Sequence, residues 1–184
     1  LFRSQGEQVA IRAAMNGQTA IDIRNAPLVF VGYGVNAPER GWNDFAGTDL
    51  KGKIAVVLVN DPDFGKDSGD FGGKAMTYYG RWTYKYEEAA RQGALGLIIV
   101  HETSGASYGW ATVKNSNTNE MFDIVRKDPA ATHPTVEGWM QRDLAVELFR
   151  AAGLDFEAQK AAARTRAFQP VELKGVTLSG DYAV

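Results

Sequence analysis

Residues 82–100 read WTYKYEEAARQGALGLIIV. Half-way along this stretch, the spacing of the apolar residues changes from that of a helix to that of an extended strand. The first half carries aromatic residues and alanines at helical intervals, which predicts a helix over Trp82–Gln92 with one packed face. The residues of that face are Trp82, Tyr86, Ala89 and Ala90. Gly93 follows at the position where a left-handed residue commonly ends a helix. The apolar run Leu95–Val100 then predicts a buried strand after a short link.

A second apolar run precedes this helix. Residues 53–60, KIAVVLVN, are β-branched and continuous, which predicts another buried strand. A strand, a helix and a strand in this order predict a right-handed crossover. Further patterns predict strands at Gln18–Arg24, Leu28–Tyr33, Thr135–Val136 and Val171–Val184, and helices at Glu137–Ala152 and from Asp155 through Ala163. The polar segment Ser104–Asn119 predicts a loop, so the whole pattern indicates an α/β domain.

Size and composition exclude several classes of protein. The chain has 184 residues, enough for a domain that buries about 70% of the surface its unfolded form exposes. Twenty Lys and Arg against 22 Asp and Glu give a formal charge of −2, which offers no general attraction to nucleic acid or anionic lipid. The absence of cysteine excludes disulfides and thiolate metal ligands. No apolar run approaches the roughly 18 residues of a membrane span. Because the chain begins without methionine, we expect it to be a piece of a longer protein.

The stretch Gly32–Ala37, GYGVNA, matches G-x-G-x-x-A, the form of a dinucleotide-binding loop. Such a loop works only when the glycines open a helix whose N-terminus holds a pyrophosphate. Here Pro38 follows, residues 41–45 lack helical apolar spacing, and the strand at Lys53 arrives too soon for a crossover helix. We therefore interpret the motif as a glycine-supported loop at the end of a strand.

A serine hydrolase is the sharpest catalytic alternative. Residues 105–109, GASYG, match G-x-S-x-G around Ser107, and Asp123, Asp128 and His133 follow in the order of α/β-hydrolase triads. A nucleophile elbow needs a strand that runs directly into the turn and a helix that leaves it. The predicted strand ends several residues early, and the residues after the motif favour helix poorly. The pattern favours a loop of small residues over a nucleophile.

Metal-binding patterns in the sequence are incomplete. His101 and Glu102 begin H-E-x-x-H, but the fifth position is Gly105, and His133 is the only other histidine. The acidic loop at 61–73 lacks the glycine and the closing glutamate of an EF-hand. Its aspartates are Asp61, Asp63, Asp67 and Asp70. A solvated acidic turn and a hydrogen-bonded histidine are the simpler interpretations.

Aromatic and basic residues interleave over residues 78–86, as they do in proteins that bind single-stranded nucleic acid. The chain has no net positive charge to support that function, and Trp82 and Tyr86 fit the packed face of the helix better. The exposed members of the cluster are instead candidates to line a cleft, because Tyr and Trp supply contact area at low entropy cost.

Two longer stretches together resemble a known family. Residues 30–64, FVGYGVNAPERGWNDFAGTDLKGKIAVVLVNDPDF, and residues 75–103, AMTYYGRWTYKYEEAARQGALGLIIVHET, resemble the protease-associated (PA) domain. They carry a G-Y-G loop, a D-x-K-G-K turn into an apolar strand, and a helix that ends E-A-A-R-Q-G-A before another apolar strand. More narrowly, the chain resembles the PA domain inserted into bacterial zinc aminopeptidases of the transferrin-receptor and glutamate-carboxypeptidase superfamily.

The resemblance implies an α/β fold with a curled mixed β-sheet, an open barrel or sandwich, flanked by helices. It implies a single PA domain over residues 1–184, with a core at about 18–168 and terminal segments 1–17 and 169–184 that lead to and from a separate catalytic domain. Two zinc ions would be held by His, Asp and Glu ligands of that domain. None of those ligand motifs occurs here, so no catalytic or metal residue is assigned to this chain.

The resemblance also implies partners and a compartment. PA domains of this kind cover or flank the cleft of the parent peptidase, so we expect contacts with the chain's own catalytic peptidase domain and with a peptide substrate, without nucleic acid or membrane. The implied compartment is periplasmic or extracellular. The expected cleft contacts are Tyr79, Arg81, Tyr108 and Trp110, because loops at strand ends often carry binding residues. A stand-alone peptide- or protein-binding module stays open as an alternative.

Overall fold

The computed structural model describes residues 5–66, 69–117, 119–120 and 122–183. The strands within these residues are β1 Val9–Ala13, β2 Ala20–Phe30, β3 Asn36–Ala37, β4 Trp42–Asn43, β5 Ile54–Leu58, β6 Gly96–His101, β7 Val136–Gln141 and β8 Val171–Ala183. The α-helices are α1 Trp82–Arg91, α2 Thr103–Ala106, α3 Trp110–Asn117, α4 Arg142–Ala151 and α5 Phe156–Ala162. None of these helices is long and apolar enough to cross a bilayer.

A six-stranded mixed sheet in the order β1-β7-β6-β5-β2-β8 organises the molecule. Strands β2, β5, β6 and β7 run parallel, while β1 and β8 pair antiparallel at the two ends. Parallel strands are covered on both faces, so their sequences are nearly continuous apolar runs. Strand β5, IAVVL, is buried throughout. The predicted strand–helix–strand unit is confirmed as β5-α1-β6, whose two strands pair in parallel.

Alternate residues of the central strands enter two separate cores. The core between the sheet and helices α1 and α3 contains Val29, Ala55, Val57, Leu97, Ile99, Tyr86, Ala89 and Val113. The core on the other side, beneath α4 and α5, contains Leu28, Phe30, Val56, Ile98, Met140, Leu144, Phe149 and Phe156. We call these two sides of the sheet the α1 face and the α4 face.

The long β2–β8 pair curls over the α4 face. Asn25 adopts a left-handed conformation with φ 51°, and the β2–β8 register shifts between Ile23 and Ala26. Such an irregularity bends the strand and increases its twist. The bend brings Ile21 and Ile23 into the same core as Val9 of β1. The sheet is therefore an open half-barrel flanked by helices, which confirms the expected curled mixed sheet.

The predicted helix over Glu137–Ala152 is wrong in its first part. Its opening residues form β7, parallel to β6, and α4 begins only after that strand. Trp139 and Met140 enter opposite cores, as neighbouring residues of a strand do. Gly138 favours the strand because it lets β1 approach closely, where an added Cβ would lie 2.8 Å from Ile11 Cγ1.

The polar segment Ser104–Asn119, predicted as a loop, contains helices α2 and α3. Helix α3 is stabilised because Val113 packs into the core of the α1 face and Asn117 Nδ2 donates to Val113 O at 2.8 Å. Tertiary burial thus overrides weak helix propensity. The predicted last helix is confirmed as α5, and Asp155 caps it, since Asp155 Oδ1 accepts a hydrogen bond from Ala158 N at 2.7 Å.

The two ends of the chain contribute to the sheet. Segment 1–17 contains edge strand β1, and segment 169–184 contains edge strand β8. The strands predicted at Gln18–Arg24 and Leu28–Tyr33 join into the single strand β2. The prediction that both terminal segments lead to and from a catalytic domain stays a prediction.

A buried lysine joins α1 to the carboxyl ends of two strands. Lys85 has no exposed surface, and its Nζ donates to the carbonyl oxygens of Tyr33 at 2.5 Å, Asn60 at 2.8 Å and Tyr79 at 3.4 Å. An ammonium group has three N–H donors, so three carbonyls satisfy it. Burial lowers the pKa of Lys85 to about 7, while the charges of two nearby aspartates oppose the shift. The lysine ties the ends of β2 and β5 to the turn before α1.

The G-Y-G loop encloses a carboxylate of the chain itself. Asp44 accepts backbone hydrogen bonds from Tyr33 at 3.2 Å and Val35 at 3.0 Å, and a third from Trp42 Nε1 at 2.8 Å. Gly34 has φ 64°, and an added Cβ there would lie 2.7 Å from a valine methyl of β5. Burial raises the pKa of Asp44 to about 7. The glycines therefore direct these backbone donors toward an internal carboxylate.

We expect Lys85→Met to destabilise the fold by about 3–5 kcal/mol, because it leaves buried carbonyls and carboxylates without their cation. Urea unfolding followed by circular dichroism measures this change. Lys51→Met, at an exposed lysine, is the control and should change the free energy of unfolding by about 0.5 kcal/mol or less. Equal stability of the two variants would contradict the role assigned to Lys85.

Candidate functional site

An open groove lies on the α1 face, where α1 and α3 meet the β1–β7 edge of the sheet. Its volume is about 270 Å³. Its lining includes Arg12, Trp82, Tyr108, Val113 and Trp139, together with polar residues of α3. We call it the aromatic groove, because three of these side chains are aromatic. Pockets for drug-sized ligands span about 300–1,000 Å³, so this groove suits one large side chain.

The inner wall of the aromatic groove is a cluster of rings around a histidine. His101 contacts Tyr108, with ring centroids 6.0 Å apart, and Trp139, with centroids 6.1 Å apart. His101 Nε2 lies 2.9 Å from the carbonyl oxygen of Tyr108, so this nitrogen carries the proton and donates. Burial lowers the pKa of His101, which favours the neutral ring. The predicted hydrogen-bonded histidine is confirmed, and it holds Tyr108 in place.

Trp82 forms the exposed rim of the aromatic groove. It begins α1, is 42% exposed, and packs edge-on against Tyr86 at a centroid distance of 6.0 Å. Tyr86 is buried and donates from its hydroxyl to Gly138 O at 3.2 Å. The prediction that both residues belong to the packed face is right for Tyr86 and wrong for Trp82. As the first residue of α1, Trp82 lies beside the groove and keeps much of its ring in solvent.

A chain of charges crosses a second cavity, of about 140 Å³, that shares Arg12 and Trp82 with the aromatic groove. Arg12 Nη2 donates to Glu137 Oε2 at 2.9 Å, and Glu137 Oε1 lies 2.6 Å from His133 Nδ1. His133 Nε2 lies 3.0 Å from Asp123 Oδ2, which also accepts from Arg126. We call these five residues the ionic network.

His133 joins a buried carboxylate to an exposed segment. Both ring nitrogens face carboxylates, and only the imidazolium form donates from both. The hydrogen bond to Glu137 is the main cause that raises the pKa of His133, and the charge of Asp123 adds to it. The residues beside Asp123, Phe122 and Ile124, are 90% and 72% exposed. Protonated His133 therefore fastens an exposed apolar segment to the sheet.

The four expected cleft contacts do not form one surface. Tyr108 lines the aromatic groove, and Trp110 lies behind it, where its indole N–H donates to a backbone carbonyl near the N-terminus at 3.0 Å. Tyr79 lies in the turn before α1, and its hydroxyl donates to Glu39 at 2.7 Å. Arg81 is exposed at the N-cap of α1. Tyr108 is thus at the groove, and the binding role of all four residues stays a prediction.

Sequence reasoning missed the residues that β1 and β7 contribute. The β1–β7 register places Arg12 opposite Glu137, a contact between residues 125 positions apart that no local pattern reveals. Glu137 and Trp139 were hidden inside a segment assigned to a helix. The residues VEGWMQ show no regular alternation that distinguishes a strand from a helix, and the pairing with β1 is what places Glu137 and Trp139 on the same side of a strand.

Among the described residues, neither the serine pattern nor the metal patterns are arranged as a reactive site. The described hydrogen-bond partners of His101 and His133 are Tyr108, Glu137 and Asp123, and Ser107 is not among them. Ser107 lies exposed in a left-handed turn after α2, with φ 70°. Across the described part of the chain, no group of three His, Asp or Glu side chains is arranged to hold a metal ion.

The acidic loop folds around its own carboxylates. Asp61 accepts from Thr77 Oγ1 at 3.1 Å, and Asp63 Oδ2 accepts from the backbone amides of Phe71 and Gly73 at 3.1 and 2.8 Å. Both aspartates are buried, so the prediction of a solvated acidic turn is wrong for them. Buried carboxylates are favourable here because the loop amides supply their hydrogen bonds. Asp67 lies outside the described residues.

Comparison with protein families agrees with this fold. The family model of the PA domain matches residues 24–136, from within β2 to the first residue of β7. The chain belongs to the PA-domain family. The G-Y-G loop, the D-x-K-G-K turn and helix α1, which carried the resemblance, all lie inside the match.

Similarity to individual proteins is low. No curated protein matches the chain. Among solved structures, an aminopeptidase from Aneurinibacillus sp. strain AM-1 aligns with 77% of this chain, at 20% identity and a TM-score of 0.33. The chain spans 27% of the length of that aminopeptidase.

The aromatic groove of this PA domain combines residues inside and outside the family match. Trp82 and Tyr108 lie inside residues 24–136, whereas Arg12 precedes that range and Trp139 follows it. The groove exists because β1 and β7, which flank the matched region, pair with each other.

We expect the free energy of unfolding to fall as pH rises above 6.5, the ordinary pKa of histidine, through the raised pKa of folded His133. In that interval the folded chain holds a proton that the unfolded chain has released, so a rise in pH favours unfolding. His133→Gln should remove this pH-dependent contribution to the free energy of unfolding. Urea unfolding at a series of pH values measures it.

The control compares the pH profile of stability of the original chain with that of His133→Gln. Lys85 and Asp44 also titrate near neutral pH, and their contributions cancel in the difference between the original chain and His133→Gln. Superimposable profiles above pH 6.5 would show that the ionic network does not hold the proton.

Proposed function

We propose that this chain is a non-catalytic PA domain of a bacterial zinc aminopeptidase-like exopeptidase, in which it shapes substrate access or mediates peptide and protein contacts. The family match over residues 24–136 is the observation that carries the proposal. The exopeptidase context rests on the narrower resemblance of residues 30–64 and 75–103 to PA domains inserted in such enzymes. In this proposal the chain contributes a binding surface, and another domain contributes the reacting groups.

The aromatic groove is the surface that we assign to peptide contact. A large apolar side chain of a peptide would displace water from the rings of Trp82, Tyr108 and Trp139, which favours binding. Aromatic residues and arginine are enriched where proteins contact partners. Arg12 Nε is buried and has no hydrogen-bond partner among the described residues. A peptide carbonyl oxygen that reached this donor would remove the cost of leaving it unpaired.

Two zinc ions belong, in this proposal, to the separate catalytic domain. The described residues of this chain do not fit such a site, because both nitrogens of His133 are engaged by carboxylates and no trio of ligands surrounds His101. The proposed partners are the chain's own catalytic peptidase domain and a peptide substrate, with no role for nucleic acid or membrane. The proposed compartment is periplasmic or extracellular.

A stand-alone peptide- or protein-binding module is the second candidate. The exposed apolar side chains of Phe122, Ile124 and Val125 beside the ionic network favour it, because such a patch commonly marks an interaction site. The sequence of the native gene distinguishes these two candidate functions. Zinc-ligand motifs in the residues that follow Val184 support the exopeptidase domain, and their absence supports the module.

We expect the purified chain to release no nitroaniline from aminoacyl-p-nitroanilides when zinc is added, because its described side chains do not assemble a metal site. Absorbance measures the release, and a known zinc aminopeptidase is the positive control. A fluorophosphonate probe should leave Ser107 unlabelled, as checked by mass spectrometry. Clear turnover, or labelling of Ser107, would overturn the non-catalytic assignment.

Trp82→Ala is expected to weaken the binding of peptides that carry a large apolar residue by about 10–100-fold, the usual effect of losing an aromatic anchor. Peptide arrays followed by calorimetry measure the loss. Tyr78→Ala is the matched control, since Tyr78 is 56% exposed and does not line the groove. An equal loss in both variants would count against the aromatic groove as the contact surface.

A further inference from the structure

A larger cleft opens on the α4 face, on the opposite side of the sheet from the aromatic groove. It has a volume of about 490 Å³ and lies between the two edge strands, β1 and β8, with α4 along one wall. Its lining includes Val9 and Ile11 of β1, Leu144 and Leu148 of α4, and Leu178 of β8. None of its lining residues carries a charge. We call it the edge cleft.

The chain's own residue Gln5 pairs with Val9 on the outer edge of β1 at this cleft, and its side chain reaches further along the same edge. Its Nε2 donates to Ile11 O at 2.9 Å, and its Oε1 accepts from Ile11 N at 3.1 Å. A residue of a neighbouring antiparallel strand makes the same pair of hydrogen bonds. The side-chain amide of Gln5 therefore stands where the peptide groups of a further strand would lie.

The same contacts show which backbone groups of β1 point outward. Because both backbone groups of Ile11 bond to Gln5, Ile11 and its partner Gly138 form a non-hydrogen-bonded pair of the β1–β7 ladder. Two residues earlier, Val9 also directs its carbonyl outward, where it accepts from Gly6 N at 2.6 Å. Gln5 itself is exposed, so its hydrogen bonds are open to exchange with another amide.

The second edge strand faces the same cleft. Residues 175–179 of β8 all line the cleft. Because they are consecutive, they bring both one face of β8 and its edge to the cleft. Two sheet edges thus flank an uncharged channel. An exposed sheet edge is a template for a further strand.

We propose that the edge cleft binds an extended segment of another protein, which adds to β1 as a further strand and displaces both the backbone of residues 5–6 and the Gln5 amide from its outer edge. Main-chain hydrogen bonds supply affinity in such strand addition, and alternate side chains supply specificity. Every second residue of the segment enters the edge cleft. These residues must be apolar, because the lining has no charge to pair with a buried ion.

This inference does not rest on the exopeptidase context or on the aromatic groove. Arg12 and Trp139 line the groove, whereas Val9, Ile11 and Met140 line the cleft. Adjacent residues of β1 and β7 therefore lie on opposite faces of the sheet. A variant in one site leaves the other intact. Failure of peptide binding at the groove is therefore distinguishable from failure at the cleft.

The probe for the test is a short acetylated and amidated peptide of alternating valine and threonine, with a lysine at each end. We expect it to bind the isotope-labelled chain and to shift the backbone amides of β1, with Ile11 among the largest. Gln5→Ala should bind about fivefold more tightly, because the competing amide is gone. Trp82→Ala should bind with unchanged affinity, as measured by calorimetry.

Two controls test the chemistry of the cleft. A probe with aspartate in place of the central valine should not bind, and Leu148→Lys, at a half-buried position of α4, should abolish binding of the original probe. Thermal unfolding of each variant confirms that it is folded. Absence of binding, shifts confined to the α1 face, or dimerisation of Gln5→Ala on size-exclusion chromatography would each overturn the proposal.

Discussion

The buried ammonium of Lys85 is the contact on which the arrangement of this PA domain depends. A charge in the interior is stable only when its hydrogen bonds are made, and here carbonyls from the ends of β2 and β5 and from the turn before α1 make them. Three chain segments are thereby held at one point. Since Lys85 itself belongs to α1, the helix is held against these segments, and this fixes Trp82 at its start and Tyr86 in its middle, which form one wall of the aromatic groove.

The β1–β7 pair gives the molecule two different surfaces at one edge. Side chains alternate across a strand, so Arg12 meets Glu137 on the α1 face, while Val9 and Ile11 face the core beneath α4. One surface is aromatic and charged, and the other is apolar and bounded by a strand edge that residues 5–6 cover. This domain therefore presents two surfaces of unlike chemistry along one pair of strands.

Prediction from the sequence succeeded where a local pattern of residues fits only one type of secondary structure. The runs at 53–60 and 95–100 must be strands covered on both faces, because their apolar residues are continuous and β-branched. It failed at Glu137–Gln141, where apolar residues fit either a helix or a strand, and the close approach of β1 at Gly138 selected the strand. It also failed at Trp110–Asn117, because burial of Val113 stabilises a helix of weak propensity.

The sequence by itself determined the central strands, the helix between them and membership of the PA family, because each of these depends on residues that are contiguous along the chain. Only the tertiary structure decided that Arg12 pairs with Glu137, that His133 lies between two carboxylates, and that Gln5 covers the edge of β1. Strand register and the curl of the sheet set these contacts. Both depend on the packing of segments far apart along the chain, a quantity that no local pattern of residues encodes.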